Sequence, residues 1–172
     1  MMSSEALELQ LQSAVSNTLR VDVLNALAWQ IRHSDPRRAL TLAEEAYRLS
    51  TAEHYAKGIA YSLRNKGTFL AMLSCYSEAL TVSLEAVEHF AAMNDLDGKA
   101  STLNTLGVIY TDLSDYEKAL HYYDESLKLF EDIGDQHGEV MTIMNIGSIY
   151  QELGDYNQAL GYFWKVSVLA MC

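Results

Sequence analysis

One proline, Pro36, and two cysteines are all that this 172-residue chain has of the residues that break or staple a fold. Cys75 and Cys172 are too few and too far apart for a disulfide framework or a zinc site, and both read as reduced thiols. No apolar run approaches the roughly 20 residues of a membrane span. The start, "MMSSEALELQLQSAV", lacks the basic residues and apolar core of a signal peptide. These absences point to a cytoplasmic protein that does not engage a membrane. Basic residues are also scarce: 12 Lys and Arg stand against 23 Asp and Glu, a net charge of −11. Residues 1–66 carry eight basic and seven acidic residues, and residues 67–172 carry four and sixteen, so the net values are +1 and −12. Such a surface repels phosphate backbones and argues against nucleic-acid binding.

What is present in quantity is helix-forming and apolar. Nearly half of the residues are hydrophobic (49%), and Leu, Ala, Glu, Tyr and Met favour helix over strand. The chain also repeats itself. "LGVIYTDLSDYEKAL" at 106–120 returns as "IGSIYQELGDYNQAL" at 146–160. Shifting by forty brings Gly67, Gly107 and Gly147 into phase, with Tyr76, Tyr116 and Tyr156. The pairs Ala79-Leu80, Ala119-Leu120 and Ala159-Leu160 fall in the same register, and Ala39-Leu40 extends it one period back. The period predicts four copies, about 21–60, 61–100, 101–140 and 141–172, within one domain spanning 1–172.

Each copy carries two helical stripes. In the third, Leu103, Leu106, Tyr110 and Leu113 mark one helix; Ala119, Leu120, Tyr123, Leu127 and Phe130 mark the next. Asp115 has the chemistry of an N-cap, Gly134 and Gly154 that of left-handed helix stops, and Asp135 that of the following start. A glycine inside a helix costs about 1 kcal/mol relative to alanine. The in-phase glycines therefore imply close approach by a neighbouring helix, with Ala79, Ala119 and Ala159 as the expected small partners. Before the first copy, Leu7, Leu11 and Val15 predict an extra helix within residues 1–20 that covers the first repeat.

Leu106-Gly107, Tyr110, Ala119 and Tyr123 resemble the tetratricopeptide signature of Leu-Gly, Tyr, Ala and an aromatic at fixed offsets. The usual period is about 34, and the forty found here is similar to the long-helix variant of kinesin light chains and bacterial regulators. The resemblance implies an all-α, right-handed solenoid of four helical hairpins preceded by an extra helix. It also implies that the free faces of the first helices form a concave wall binding protein or peptide. On that wall the sequence places Tyr61, Arg64, Asn65 and Thr68 from the second copy. Ser101, Asn104, Val108 and Thr111 come from the third; Met141, Met144, Asn145, Ser148 and Gln151 come from the fourth. Asn25, Asn65 and Asn145 recur in phase, with Thr105, beside Asn104, breaking the series. Either they form a ligand-facing ladder similar to that of kinesin light chain repeats, or each amide ties neighbouring repeats together.

No phosphate loop, His-Glu-x-x-His, Cys-x-x-Cys or nucleophile motif occurs. His121 with Asp124 or Glu125 reads as an exposed helical pair rather than a metal site. The expectation is a non-catalytic module without a cofactor, the N-terminal sensory or regulatory segment of a bacterial signalling protein. The alternative is a structural adaptor assembling a multiprotein complex. The last helix is apolar around Phe163, Trp164, Val166, Val168 and Leu169 with no polar cap after it, which suggests a homodimer through that helix or a longer parent protein.

Overall fold

Helix and turn alternate on a step of twenty residues, half the period visible in the sequence. The computed structural model describes residues 3–169, and its helices are α1 Ser4–Gln12, α2 Asn17–Ile31, α3 Pro36–Ala52, α4 Ala56–Met72, α5 Tyr76–Ala92, α6 Leu96–Asp112, α7 Tyr116–Ile133, α8 Gln136–Glu152 and α9 Tyr156–Leu169. No strand occurs among the described residues. The fold is the all-α, hairpin-repeating kind that the sequence predicts. Hairpins open at Asn17, Ala56, Leu96 and Gln136, four or five residues ahead of the starting points that the phase comparison suggests. Cys172 and the end of the last apolar stretch lie outside the described residues.

The spacing is set by the helix ends. His54, Ser74, Asn94, Ser114, Gly134 and Gly154 all have positive φ, between 51° and 77°. Past most of them the next amide reaches back five residues: Tyr55 N to Ser50 O, Cys75 N to Leu70 O, Asp115 N to Tyr110 O, Asp135 N to Phe130 O and Asp155 N to Tyr150 O. This six-to-one bond satisfies a carbonyl the helix leaves open and turns the chain sharply. The next helix then begins on an acidic cap in several cases. Asp95 accepts from Gly98 N at 2.8 Å, Asp115 from Lys118 N at 3.3 Å and Asp135 from His137 N at 3.1 Å. The Asp115, Gly134, Asp135 and Gly154 assignments are thus found as expected.

The described residues fall into two compact units, divided between Asn94 and Asp95. In the first, α1 to α5 bury Leu7, Val23, Leu27, Ala28, Ile31, Ala39, Ala43 and Phe69 together, and Ala60, Leu63, Ala86 and Phe90 in a second cluster. The preceding helix does cover the first hairpin: Leu7 enters its core and Glu8 pairs with Arg38 at 2.7 Å. It ends at Gln12, however, so Val15 lies in the connection and is 93% exposed. In the second unit, α6 to α9 pack Ala119, Tyr123, Ile146 and Ile149, with Tyr110, Leu120, Leu127 and Tyr150 against them. Ile109 is buried there, whereas Leu113 caps the end of α6 and is exposed.

The in-phase glycines do make room, chiefly for the side chain one turn beyond the expected alanine, although the Ala79 main-chain oxygen also comes within 3.6 Å of a Cβ placed on Gly67. A Cβ on Gly107 would stand 2.5 Å from the Tyr123 ring, and one on Gly147 would stand 2.6 Å from Phe163. On Gly67 it would collide with the hydroxyl of Ser83. The residue opposite each glycine is therefore the aromatic-phase position, one turn beyond the expected alanine. A second set, Gly58, Gly98 and Gly138, recurs in phase and is buried. A Cβ on Gly138 would strike the Phe130 ring.

Candidate binding faces

In the first unit, α2 and α4 are joined by buried amides. Asn65 is 1% exposed, and its Nδ2 donates to Oδ1 and to the main-chain oxygen of Asn25, at 3.1 and 3.2 Å. Asn25 in turn donates to Ser62 Oγ at 3.0 Å. Asn65 is accordingly removed from the predicted binding wall, because it is buried, its amide nitrogen is consumed between repeats and its side-chain oxygen accepts from Arg64 Nη2 at 3.3 Å. Tyr61, Arg64 and Thr68 stay on the half-buried side of α4. The Arg64 guanidinium lies 4.7 Å from the Tyr61 ring centre and 4.9 Å from that of Trp29. Thr68 Oγ1 donates to the Arg64 carbonyl at 3.1 Å.

In the second unit the same logic is looser. Asn145 Nδ2 donates to Asn104 Oδ1 at 3.2 Å, and Thr142 Oγ1 to the same oxygen at 3.3 Å. Both asparagines stay half-buried. Within each unit the amides therefore tie adjacent repeats, as one of the two sequence readings has it. Thr111 also needs correction. Its hydroxyl donates to Gly107 O at 2.9 Å and lies 3.4 Å from the Tyr123 phenol, so it serves the α6–α7 contact. Burial pushes the Tyr123 phenol up to about 12, the Thr111 bond opposing it.

On α8 the predicted residues do share an open face. Met141, Met144, Ser148 and Gln151 are exposed, Met144 to 49%, while Ile143, Ile146 and Ile149 point into the core. Ser148 Oγ donates to Met144 O at 2.9 Å and keeps its acceptor capacity. The chemistry available is neutral: thioethers that adapt to varied side chains, and a hydroxyl and an amide that can bond an extended backbone.

Sequence reading missed Trp29 and Arg32 on the first unit's face. Trp29 falls in phase with the buried Phe69, Ile109 and Ile149, so periodicity alone assigns it to the core. Its indole is only partly buried and carries the Arg32 guanidinium 4.2 Å from its centre. Arg32 follows Trp29 outward at the end of α2, and Arg64 joins the ring from α4.

Chemistry of other kinds finds little here. No group of three His, Cys, Asp or Glu that could hold a metal occurs among the described residues. His121 makes a surface contact of 3.6 Å with Glu125 one turn on. None of the described helices is long and apolar enough to cross a membrane.

Residues 58–132 and 98–166 match the family model described as Tetratricopeptide repeat. The chain belongs to the tetratricopeptide repeat family. BtubC (BKLC) from P. vanneervenii has a similar fold, with a TM-score of 0.78 at 21% identity over 97% of this chain and 70% of that one. A Rap protein crystallised with Competence and Sporulation Factor gives 0.90 at 19% identity, covering 98% of this chain and 47% of the other. The STAND protein PH0952 from Pyrococcus horikoshii, which has a tetratricopeptide repeat sensor, gives 0.78 at 20% identity over 97% and 26%. This chain thus spans under half of the latter two. No curated protein matches the sequence significantly.

Proposed function

We propose that the chain is a non-catalytic, cytoplasmic protein- or peptide-binding module that works through the outward faces of its first helices. The observation that carries this reading is the α8 row. Met141, Met144, Ser148 and Gln151 are aligned, exposed and uncharged, on a helix whose opposite face is fixed in the core. Family membership supports it. The Rap protein crystallised with a named factor and the STAND protein's repeat sensor support a setting in signalling, with this chain as the regulatory segment. Displayed peptide libraries selected on the full chain test the proposal. Selected peptides should lose affinity by roughly tenfold or more on the double substitution Met144→Glu, Ser148→Glu, which touches exposed positions only. Unchanged affinity would remove α8 from the site.

A second reading, an adaptor that self-associates, is favoured by α9. Tyr156, Leu160, Trp164 and Val168 lie four residues apart on one face, with Leu160 69% and Trp164 67% exposed. On α7 the positions of Trp164 and Val168 hold Asp124 and Lys128, so the α9 face is unusually apolar for its place. Sedimentation from nanomolar to high micromolar concentration distinguishes the readings. A dimer lost on Leu160→Glu supports self-association, and a monomer throughout excludes it.

A further inference from the structure

The hairpin α4–α5 lacks the filling that the hairpins of the second unit have. In α6–α7 Tyr110 stacks on Tyr122 with ring centres 5.4 Å apart, and in α8–α9 Tyr150 stacks on Tyr162 at 5.5 Å. The same two positions of α4–α5 hold Leu70 and Val82. The residue one turn before the first tyrosine changes as well. Leu106 and Ile146 are fully buried, whereas Lys66, in their phase, is only half-buried. Lys66, Leu70 and Val82 meet in a pocket of about 220 Å³ that opens between α3 and α5. None of its lining residues belongs to the faces described above.

The pocket wall carries charge of both signs that the chain itself leaves unpaired. Glu44 from α3 and Glu78 from α5 line it with Lys66, and none of the three makes an ion pair among the described residues. Lys66 Nζ rests 4.9 Å from the centre of the Tyr47 ring, a contact that holds the ammonium without neutralising it. Ser77 and Thr81 complete the α5 side. Thr81 Oγ1 donates to Ser77 O at 3.0 Å and keeps its acceptor capacity. The start of α5 differs from that of the other second helices too. Asp35, Asp115 and Asp155 each accept from a first-turn amide, and Cys75, in their phase, makes no such bond.

We infer that this pocket binds a free aromatic α-amino acid. The ring lies against Leu70 and Val82, where the other hairpins hold stacked tyrosines. The carboxylate pairs with Lys66 beside the uncapped first turn of α5, and the ammonium pairs with Glu44 and Glu78. The volume is below the roughly 300–1,000 Å³ of sites for drug-sized molecules, which suits one ring with a short charged end. An aromatic acid lacking the ammonium would face two unpaired glutamates. An aromatic amine lacking the carboxylate would leave Lys66 unmatched.

Saturation-transfer NMR titrations of the full chain with L-phenylalanine, phenylacetate and phenethylamine test the assignment. L-Phenylalanine should bind at least about fivefold more tightly than either analogue. Lys66→Met, which restores an apolar residue at the Leu106 and Ile146 position, should weaken L-phenylalanine at least about tenfold and spare phenethylamine. Leu70→Tyr with Val82→Tyr rebuilds the stacked pair, fills the pocket and should abolish binding while thermal melts show a folded chain. Lys57→Met, another lysine of the first unit but outside the pocket, should change nothing. Should the double tyrosine variant fail to fold, Lys66→Met alone decides. Absence of saturable binding, equal binding of all three compounds, equal loss on Lys57→Met, or full binding by Lys66→Met or a folded tyrosine variant overturns the inference. Peptides selected for the α8 face should be indifferent to Lys66→Met, so this site and the peptide-binding reading stand or fall separately.

Discussion

The amide of Asn65 donates to both oxygens of Asn25, one repeat earlier in the chain, and is closed off from solvent. A buried donor with two acceptors across a repeat boundary acts as a register pin, because any slip parts the Asn65 amide nitrogen from the Asn25 side-chain oxygen.

Asn65→Ala should therefore cost the first unit about 2 kcal/mol, since the buried side-chain oxygen of Asn25 loses this donor. Asn145→Ala should cost roughly half as much, because water can reach the half-buried Asn104. The chain has two tryptophans, and Trp29 lies in the first unit and Trp164 in the second. Urea unfolding followed by fluorescence in Trp29→Phe and Trp164→Phe backgrounds assigns each loss to its unit. Equal losses for both asparagines would contradict the difference in burial.

Glycine-to-alanine changes should differ according to what stands opposite. Gly107→Ala drives a methyl into the Tyr123 ring and should destabilise by about 1–3 kcal/mol. Gly67→Ala meets the short side chain of Ser83, which can rotate, and should cost less. Adding Tyr123→Ser, the residue type found opposite Gly67, to Gly107→Ala removes the ring that the methyl strikes, so a double-mutant cycle should show favourable coupling. Strict additivity in thermal melts would refute the close-packing role.

Alkaline stability should carry the mark of Tyr123. Its folded value is about 12 against an ordinary value of 10.0, so the folded state holds this proton more tightly. The resulting stabilisation is complete below pH 10, declines above it, and is gone once the pH has risen through about 12. Its size is on the order of 2–3 kcal/mol. Tyr123→Phe should flatten the fall in melting temperature between these limits, with little change at neutral pH. An unchanged slope would mean that another group governs the alkaline transition.

The left-handed helix stops can be improved. Ser114 has φ 59° where the next repeat has Gly154 at φ 77°, and a side chain in that region costs about 1–2 kcal/mol relative to glycine. Part of that gain is lost to the greater freedom of glycine in the unfolded chain. Ser114→Gly should therefore stabilise by several tenths of a kcal/mol, and Gly154→Ala should destabilise by about 1 kcal/mol. Differential scanning calorimetry reads both shifts.

The sequence was most informative where one residue does one local job. Asp115, Gly134, Asp135 and Gly154 were legible because caps and left-handed stops depend on a few neighbouring atoms. It was less informative where a residue's role depends on its partner's size. Periodicity marks Gly107 as a point of close approach, but whether Ala119 or Tyr123 fills the space is settled by helix rotation, which spacing leaves open. The asparagines show the same limit: a recurring amide signals a hydrogen-bonding demand without saying whether ligand or neighbouring repeat meets it. Trp29 shows the opposite failure. Its in-phase partners are buried, so the pattern hides a ring that spreads outward to Arg32 and Arg64.

The left-handed residue at every twentieth position, from His54 to Gly154, gives this chain a unit of growth. Cutting at one such residue and rejoining forty residues away leaves a helix stop of the same handedness at the seam. Gene duplication can thus lengthen or shorten such a protein by whole hairpins without inventing a new junction. Copies made this way inherit their turns intact, and selection is left to act on the side chains that face outward.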